Sequence, residues 1–277
     1  MTAIEWTEQT WNPTTGCDRI SPGCDNCYAL TMAKRLKAMG QVKYQNDGDP
    51  RTSGPGFGIT VHPDVLGEPL RWKKPRKVFV NSMSDLFHAR VPVDFITDVW
   101  RTMQATPQHT YQILTKRAAR LPRVLDRVHE ALGLDDPLPN VWLGTSIETD
   151  DYARRATALR HSLAAVRFIS AEPLLGPLPS LDLDGIDWLI IGGESGPGAR
   201  PMDLAWVRDL LAETDTTGTA PFVKQLGSAW AHDTAWAGKS VAAIGDTKGG
   251  NPTYWPAGLR VREYPASRAP HRDSTAA

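Results

Sequence analysis

The sequence predicts an α/β protein whose parallel strands form a partial or closed (β/α) barrel, followed by a C-terminal cap extension. Two observations favour this fold class. Short apolar runs recur along the chain, and helical stretches with one apolar face separate them. The runs are continuous rather than alternating, which is typical of strands buried on both faces. They are Val78–Val80, Tyr111–Leu114, Val141–Leu143, Val166–Ile169, Trp188–Ile191 and Phe222–Val223.

The first part of the chain carries a short extended stretch, Thr10–Thr15, and then a loop with three cysteines. Apolar residues at helical spacing predict a helix that follows Cys27 and stops at Gly40, since glycine commonly ends helices. Residues 41–70 are rich in Gly, Pro and Asp and predict a loop insertion.

Four more helices are predicted between the strands. Pro92 suits the first turn of one, and Thr149 and Asp203 are suitable N-caps for two others. Their apolar faces span Phe95–Met103, Leu121–Leu132, Tyr152–Leu163 and Leu204–Leu211. We expect residues 1–227 to form the barrel and residues 228–277 to form an extension or lid with a frayed end.

Small and polar residues follow nearly every predicted strand. Because the carboxyl ends of barrel strands converge on one face, this pattern favours a ligand site there. Turn formation and helix capping are the alternative explanation for each segment taken alone. The segments are Asn81–Asp85, Thr115–Arg117, Gly144–Glu148, Ser170–Pro173, Gly192–Gly196 and Lys224–Gln225.

Composition excludes several classes of protein. Lys plus Arg and Asp plus Glu both number 31, and this balance argues against a polybasic nucleic-acid-binding protein. A hydrophobic content of 41% is enough for a full core and argues against disorder. The N-terminal segment lacks the basic and apolar regions of a signal peptide, and no apolar run reaches membrane length. We therefore expect a cytoplasmic protein with no membrane partner.

The only cysteines are Cys17, Cys24 and Cys27, spaced C-x6-C-x2-C. An odd, clustered set is not a disulfide framework. A structural zinc site would need a fourth ligand from far away, such as His62 or His88. A redox C-x-x-C pair would leave Cys17 unused. A [4Fe–4S] cluster uses all three thiolates and leaves one iron open, so we favour iron–sulfur and keep zinc as the alternative.

These cysteines and three later strand ends resemble the radical S-adenosylmethionine (SAM) superfamily, in particular its spore-photoproduct-lyase branch. The resemblance covers roughly residues 10–226 in order and spacing, although the usual first gap is C-x3-C and here it is six residues. The residues that carry it are Cys24-x-x-Cys27-Tyr28-Ala29, Ser84-Asp85, Thr115-Lys116 and Ser146.

The resemblance implies a radical SAM barrel in which the open iron chelates SAM. It also implies that Tyr28, Ser84, Lys116 and Ser146 hold the SAM amino and carboxylate groups, with Lys116 as the counter-charge to the carboxylate. Two carboxylates at strand ends complete the expected cofactor-binding set: Asp85 and Glu148. No catalytic side chain is assigned.

The whole chain also resembles an uncharacterised, phage-associated family with a three-cysteine motif. Its hallmarks resemble Gly16-Cys17, Cys24-x-x-Cys27-Tyr28-Ala29, Ser84–His88, Leu114–Arg117, Ala171–Gly176 and Gly192–Gly196. One position departs from spore photoproduct lyase. The cysteine that returns a hydrogen atom there is Met83 here, and a thioether cannot replace a thiol in that step.

The resemblance implies an enzyme that generates a 5′-deoxyadenosyl radical and receives electrons from a donor such as flavodoxin or ferredoxin. We expect a nucleotide, DNA or RNA substrate. Tryptophans outside the predicted core elements are candidates for stacking on a base. The basic stretch Arg71–Lys77 either contacts phosphate or is a solvent-exposed segment that leads into the next strand. These tryptophans are Trp6, Trp11, Trp230, Trp236 and Trp255.

Three alternatives stay open. The first is a zinc-stabilised barrel that binds nucleic acid without catalysis, and the second is a cluster-containing regulatory or partner subunit. The third is a metal-free hydrolase that uses Glu172 and Glu194, although each could instead form a salt bridge. His88 either lines the site or is a solvated loop residue.

Overall fold

The computed structural model describes residues 4–266 and shows a mixed α/β protein around one parallel sheet. The strands are β1 (Gln9–Thr10), β2 (Thr14–Thr15), β3 (Thr60–Val61), β4 (Lys77–Val80), β5 (Thr110–Thr115), β6 (Val141–Ser146), β7 (Val166–Ala171), β8 (Trp188–Gly192), β9 (Ala220–Gln225), β10 (Ala235–Trp236) and β11 (Lys239–Ser240). The α-helices are α1 (Tyr28–Ala38), α2 (Val93–Gln104), α3 (Leu121–Leu132), α4 (Arg155–Arg160), α5 (Leu204–Thr217) and α6 (Ser228–Asp233).

The main sheet has seven parallel strands in the order β1-β4-β5-β6-β7-β8-β9. The partial barrel is therefore confirmed and the closed barrel is wrong, because β1 and β9 are the two edges. The outer edge of β9 is already covered: Phe222 pairs with Arg262, and the backbone N–H of Glu263 donates to Pro221. This later segment blunts an edge that would otherwise be free to pair.

All six predicted strands are present, each within three residues of its expected ends. The helix predicted over Tyr152–Leu163 is shorter than expected. Asp150–Tyr152 form a 3-10 turn, and α4 spans Arg155–Arg160 only. Its end is fixed locally, because the Ser162 hydroxyl donates to the Leu159 carbonyl and replaces a helical hydrogen bond.

The inner face of the curled sheet carries aromatic side chains at the amino ends of its strands. Trp6, just before β1, lies 4.8 Å from the ring of Phe79 on β4 and 6.0 Å from that of Trp188 on β8. The ring of Tyr264 stacks on Trp188 at 5.3 Å, and the Lys77 ammonium lies over Tyr264. The amino-terminal end of the half-barrel is therefore filled, and the polar strand ends lie at the opposite, carboxyl-terminal end.

Three of the tryptophans proposed for base stacking are core residues instead. Trp6, Trp11 and Trp255 are at most 2% exposed. The indole N–H of Trp11 donates to the Val65 carbonyl, and that of Trp255 donates to the Gly249 carbonyl. That part of the prediction was wrong, because these residues sit outside the periodic segments and their burial depends on distant parts of the chain. Trp236 is exposed, and Trp230 is partly buried.

Residues 228–266 form α6, the β10–β11 hairpin and a strap along β9. Among the residues described, no helix combines the length and apolarity needed to cross a membrane.

Candidate active site

A cleft of about 760 Å³, including its open mouth, lies at the carboxyl ends of β4, β5 and β6 beneath the cysteine loop. Its wall contains all three cysteines and most of the predicted SAM-binding residues. Apolar side chains, among them Ile20, Phe57 and Leu114, form much of the rest. The predicted residues on the wall are Cys17, Cys24, Cys27, Tyr28, Ser84, Asp85, Lys116 and Ser146. Glu148 is not on the wall.

The three thiols are free and face the same cleft. Burial and the nearby Asp85 carboxylate raise the pKa of Cys17 to about 12, and burial also raises the pKa of Cys27. Both are therefore neutral thiols at neutral pH, and a metal centre would have to displace their protons. Within residues 4–266 no three His, Cys, Asp or Glu side chains are gathered into a metal-binding group.

The donor set nevertheless fits an iron–sulfur cluster chemically, since three soft thiols line one cavity and no disulfide engages them. The imidazoles considered as a fourth zinc ligand lie elsewhere. His62 Nε2 is 2.9 Å from the Thr15 hydroxyl, and His88 Nε2 is 3.0 Å from Asp18 Oδ2. Neither histidine lines the cleft.

The cysteine loop is shaped by a close backbone approach at Gly16. This residue has a φ of +87°, and a Cβ atom there would lie 2.2 Å from the Gly58 carbonyl oxygen. Only glycine fits that position, so the loop insertion supports the segment that carries Cys17.

Glu148 lies behind the cleft wall and is fully buried. One carboxylate oxygen accepts hydrogen bonds from Lys116 Nζ and from the Ser21 hydroxyl at 2.7 Å; the other accepts from Arg155 at 2.9 Å. Burial alone would raise the pKa of Glu148, but the charges of Lys116 and Arg155 outweigh it and lower the pKa. The carboxylate therefore stays ionised and holds the Lys116 ammonium at the wall.

A second polar network fixes the β4 end of the cleft. Asp85 accepts from the Thr115 hydroxyl at 2.7 Å and from the Lys116 backbone N–H at 3.1 Å. The Ser84 hydroxyl lies 2.6 Å from the Thr14 hydroxyl. The Thr14 hydroxyl also accepts a hydrogen bond from the Asn81 side-chain amide at 2.7 Å. These bonds tie β4 to β5 and to the segment before the cysteines.

Asp18, directly after Cys17, holds the cysteine loop in place through several hydrogen bonds. It accepts from Thr52, Ser53 and Arg90 and lies against His88. Burial raises the pKa of Asp18, but these hydrogen bonds and the Arg90 charge outweigh it and lower the pKa to about 2. His88 is thus a buried partner of the loop, neither a cleft residue nor a solvated one.

The two carboxylates of the hydrolase alternative are held by separate cations. Glu194 pairs with Arg200, whose guanidinium also donates to the Pro22 carbonyl, and it accepts from Asn26 at 2.9 Å. This arrangement clamps the cysteine loop against the end of β8. Glu172 pairs with Lys224 on the inner face. Neither carboxylate lines the cleft.

Met83 is buried in an apolar cluster with Ala29, Ala33 and Phe57, beneath α1. The basic stretch Arg71–Lys77 precedes β4 and so lies at the amino ends of the strands, opposite the cleft. It is therefore a lead-in to the strand rather than part of the site.

Sequence reasoning did not single out several residues that build the site. Asn12, whose side chain accepts from the backbone of Ser82 and Met83, carries no motif signal. Ser21 lies 127 residues from Glu148, its partner. Arg155 lies on a predicted helix, where a charged side chain is ordinarily expected to face solvent. Thr14 is another. Asn81 and Thr115 lie in predicted strand-end segments, but their bonds to Thr14 and Asp85 were not predicted.

No curated protein matches this sequence. Two solved structures resemble the chain: spore photoproduct lyase complexed with a dinucleoside spore photoproduct, at 14% identity, and a Cys-to-Ala variant of it with the same compound, at 12% identity. Both have a TM-score of 0.41 and cover 74% of this chain, while this chain spans 60% of theirs. The family described as a protein of unknown function, DUF5131, matches residues 1–254, so this chain belongs to the DUF5131 family.

Proposed function

We propose that this protein is a radical SAM enzyme that binds a [4Fe–4S] cluster through Cys17, Cys24 and Cys27. The observation that carries the proposal is the composition of one cavity. Three free thiols, a lysine ammonium and several hydroxyl groups line the same cleft, at the open end of a parallel half-barrel. Three thiolates suit a cluster with an open iron, and the remaining polar groups suit an amino acid moiety.

Cys17, Cys24 and Cys27 would hold the cluster, which would supply the open iron for SAM and the electron for its reductive cleavage to methionine and a 5′-deoxyadenosyl radical. Lys116 is a cation on the cleft wall and would pair with the SAM carboxylate, while Glu148 keeps its ammonium in place. The hydroxyls of Ser84 and Ser146 would receive or donate hydrogen bonds beside it. Apolar walls at Phe57 and Leu114 would exclude water from the reactive groups.

We propose further that the substrate is a nucleotide or nucleic acid. This part rests on the resemblance of the Cys24–Ala29 and Ser84-Asp85 segments to the spore-photoproduct-lyase branch. Repair through a returned hydrogen atom is not part of the proposal, because Met83 occupies the donor position and points into an apolar cluster. The division into a barrel over 1–227 and an extension over 228–277 is likewise a proposal.

The test is metal analysis after anaerobic expression and reconstitution. We expect about four irons and four sulfides per chain in the wild type, and their loss in Cys17→Ala, Cys24→Ala and Cys27→Ala. The matched control is Ile20→Ala, which changes an apolar residue of the same loop and should keep its iron. One tightly bound zinc without iron would overturn the proposal and favour a zinc-stabilised binding protein.

The substrate class is tested separately on the loaded protein. Release of 5′-deoxyadenosine is measured with single-stranded DNA, duplex DNA, RNA and nucleoside triphosphates. Stimulation by one of these above the rate without substrate supports the nucleotide proposal. Equal rates with all of them would contradict it and leave the cluster proposal standing.

A further inference from the structure

α1 is unusual for a solvent-exposed helix, because large apolar side chains form a stripe on its outward face. Tyr28, Met32 and Met39 are 56%, 41% and 60% exposed, and Val42 in the following turn is 88% exposed. Residues 28, 32, 35 and 39 follow the spacing of one helix face, so Arg35 lies within this stripe. Tyr, Met and Arg are the residue types enriched at protein interfaces.

The same surface is positively charged. The sequence has no Asp or Glu between Tyr28 and Asn46, but it has Lys34, Arg35, Lys37 and Lys43 there. Lys37 is paired with Asp47 from the loop packed against α1. In the part of the chain that the structure describes, no salt bridge engages the other three cations, Lys34, Arg35 and Lys43. A partner that fits this face must therefore be acidic around an apolar centre.

The position of the stripe, next to the cysteine loop, indicates what kind of protein would bind it. Cys27 is the residue that precedes α1, and Tyr28 both begins the exposed stripe and lines the cleft. A protein seated on this face would therefore lie beside Cys27 and the cysteine loop.

We propose that the exposed face of α1, from Tyr28 to Val42, docks an acidic one-electron carrier protein. This inference rests on the proposed function. In the docked complex the reduced carrier would give up one electron to the cluster that the three cysteines would hold, with no bond made or broken. A nucleic acid is the competing occupant of this basic surface, since Tyr28 could stack on a base and the lysines could contact phosphates. The apolar centre formed by Met32, Met39 and Val42 favours a protein instead.

The first experiment measures binding without requiring a cluster. Oxidised flavodoxin and oxidised [2Fe–2S] ferredoxin serve as acidic probes of the full-length protein at low and high salt. We expect Arg35→Glu and Met39→Glu to weaken binding of one probe by about tenfold or more. Lys74→Glu is the matched control, since it reverses an exposed charge at the far end of the half-barrel and should leave the affinity unchanged.

The second experiment separates electron delivery from cluster formation. Bleaching of cluster absorbance is followed with photoreduced flavodoxin and, separately, with dithionite. We expect Arg35→Glu to be reduced normally by dithionite but about tenfold more slowly by flavodoxin. A wild type that binds neither probe would overturn the docking proposal, as would variants that bind both probes like the wild type.

Two further outcomes are distinguishable. If Arg35→Glu lost affinity for a single-stranded oligonucleotide while keeping its affinity for both probes, the face would bind nucleic acid and the proposal would be wrong. If the protein formed no cluster at all, the proposed function would fail by the metal analysis, whatever the binding assay showed.

Discussion

Lys116 and Glu148, on neighbouring strand ends, form an ion pair in which the cation reaches the cleft and the carboxylate is fully buried. The two residues were expected to share one role as cofactor ligands. The geometry gives them different positions: Lys116 faces the cavity, and Glu148 supports it from behind while also bonding Arg155 and Ser21. One buried carboxylate thus connects the cysteine loop, β5 and α4.

The first prediction concerns Glu148→Gln. This change keeps the shape of the side chain but leaves the Arg155 and Lys116 cations without their buried counter-charge. We expect the free energy of unfolding to fall by about 3 kcal/mol, measured by urea denaturation at pH 7. Glu130→Gln, on the exposed side of α3, is the control and should change little. Equal stability of the two variants would show that the ion pairs of Glu148 do not stabilise the fold.

The same variant makes a pH prediction. The pKa of Glu148 is lower in the folded protein than in the unfolded chain, so the unfolded state binds more protons between the two values. The stabilising contribution of Glu148 is complete above its pKa in the unfolded chain, about 4.3. It is lost as the pH falls through its lower pKa in the folded protein. The stability difference between wild type and Glu148→Gln should therefore shrink below about pH 4. A difference that grew in acid would contradict this sign.

The second prediction concerns Lys116, a cation on the wall of the cleft. Lys116→Met should weaken SAM binding to the cluster-loaded protein by about tenfold or more, because a charge-assisted hydrogen bond to a carboxylate is lost. Equilibrium dialysis measures this affinity. Arg155 and Ser21 still bond Glu148 in this variant, so its carboxylate keeps a counter-charge and the protein should remain folded. Wild-type SAM affinity in a folded Lys116→Met variant would show that this ammonium does not pair with the SAM carboxylate.

The third prediction concerns the close contact between the cysteine loop and Glu148. A Cβ atom at Gly23 would lie 2.5 Å from Cγ of Glu148, a side chain that its partners hold in place. Gly23→Ala should therefore lower stability by on the order of 1–3 kcal/mol and reduce iron content after reconstitution. Gly176→Ala meets nothing within 4 Å and is the control. Normal iron content in Gly23→Ala would show that the loop can shift freely.

The fourth prediction distinguishes core tryptophans from exposed ones. Trp6→Ala removes an indole that packs against Phe79 and Trp188, and should cost about 3–5 kcal/mol of stability. Trp236→Ala, at a side chain 42% exposed, should stay within about 0.5 kcal/mol of the wild type. Chemical denaturation measures both, and a neutral Trp6→Ala would contradict the filled end of the half-barrel.

The sequence predicted the strands well because each is buried on both faces, and a continuous apolar run is a local signal. It also predicted where polar side chains converge, since parallel strands bring Lys116 and Ser146 to one edge. It could not predict the supports of the site. The bond between Ser21 and Glu148 joins residues 127 positions apart, and nothing local in either segment encodes it.

The errors have the same origin. Trp6 and Trp11 lie in segments without periodicity, and their burial depends on distant residues: Phe79 and Trp188 cover Trp6, and Val65 and Tyr111 contact Trp11. The early C-terminal end of α4 coincides with Ser162, whose hydroxyl and backbone N–H both donate to the Leu159 carbonyl, and the apolar spacing does not show this.

The most direct test of the central claim is electron paramagnetic resonance of the anaerobically reconstituted, reduced protein, recorded with and without SAM. We predict the signal of a reduced [4Fe–4S] cluster that changes when SAM is added, and its absence in Cys24→Ala. A cluster signal that SAM leaves unchanged, or a wild type with no cluster signal, would contradict the proposal that this cleft binds SAM at an open iron.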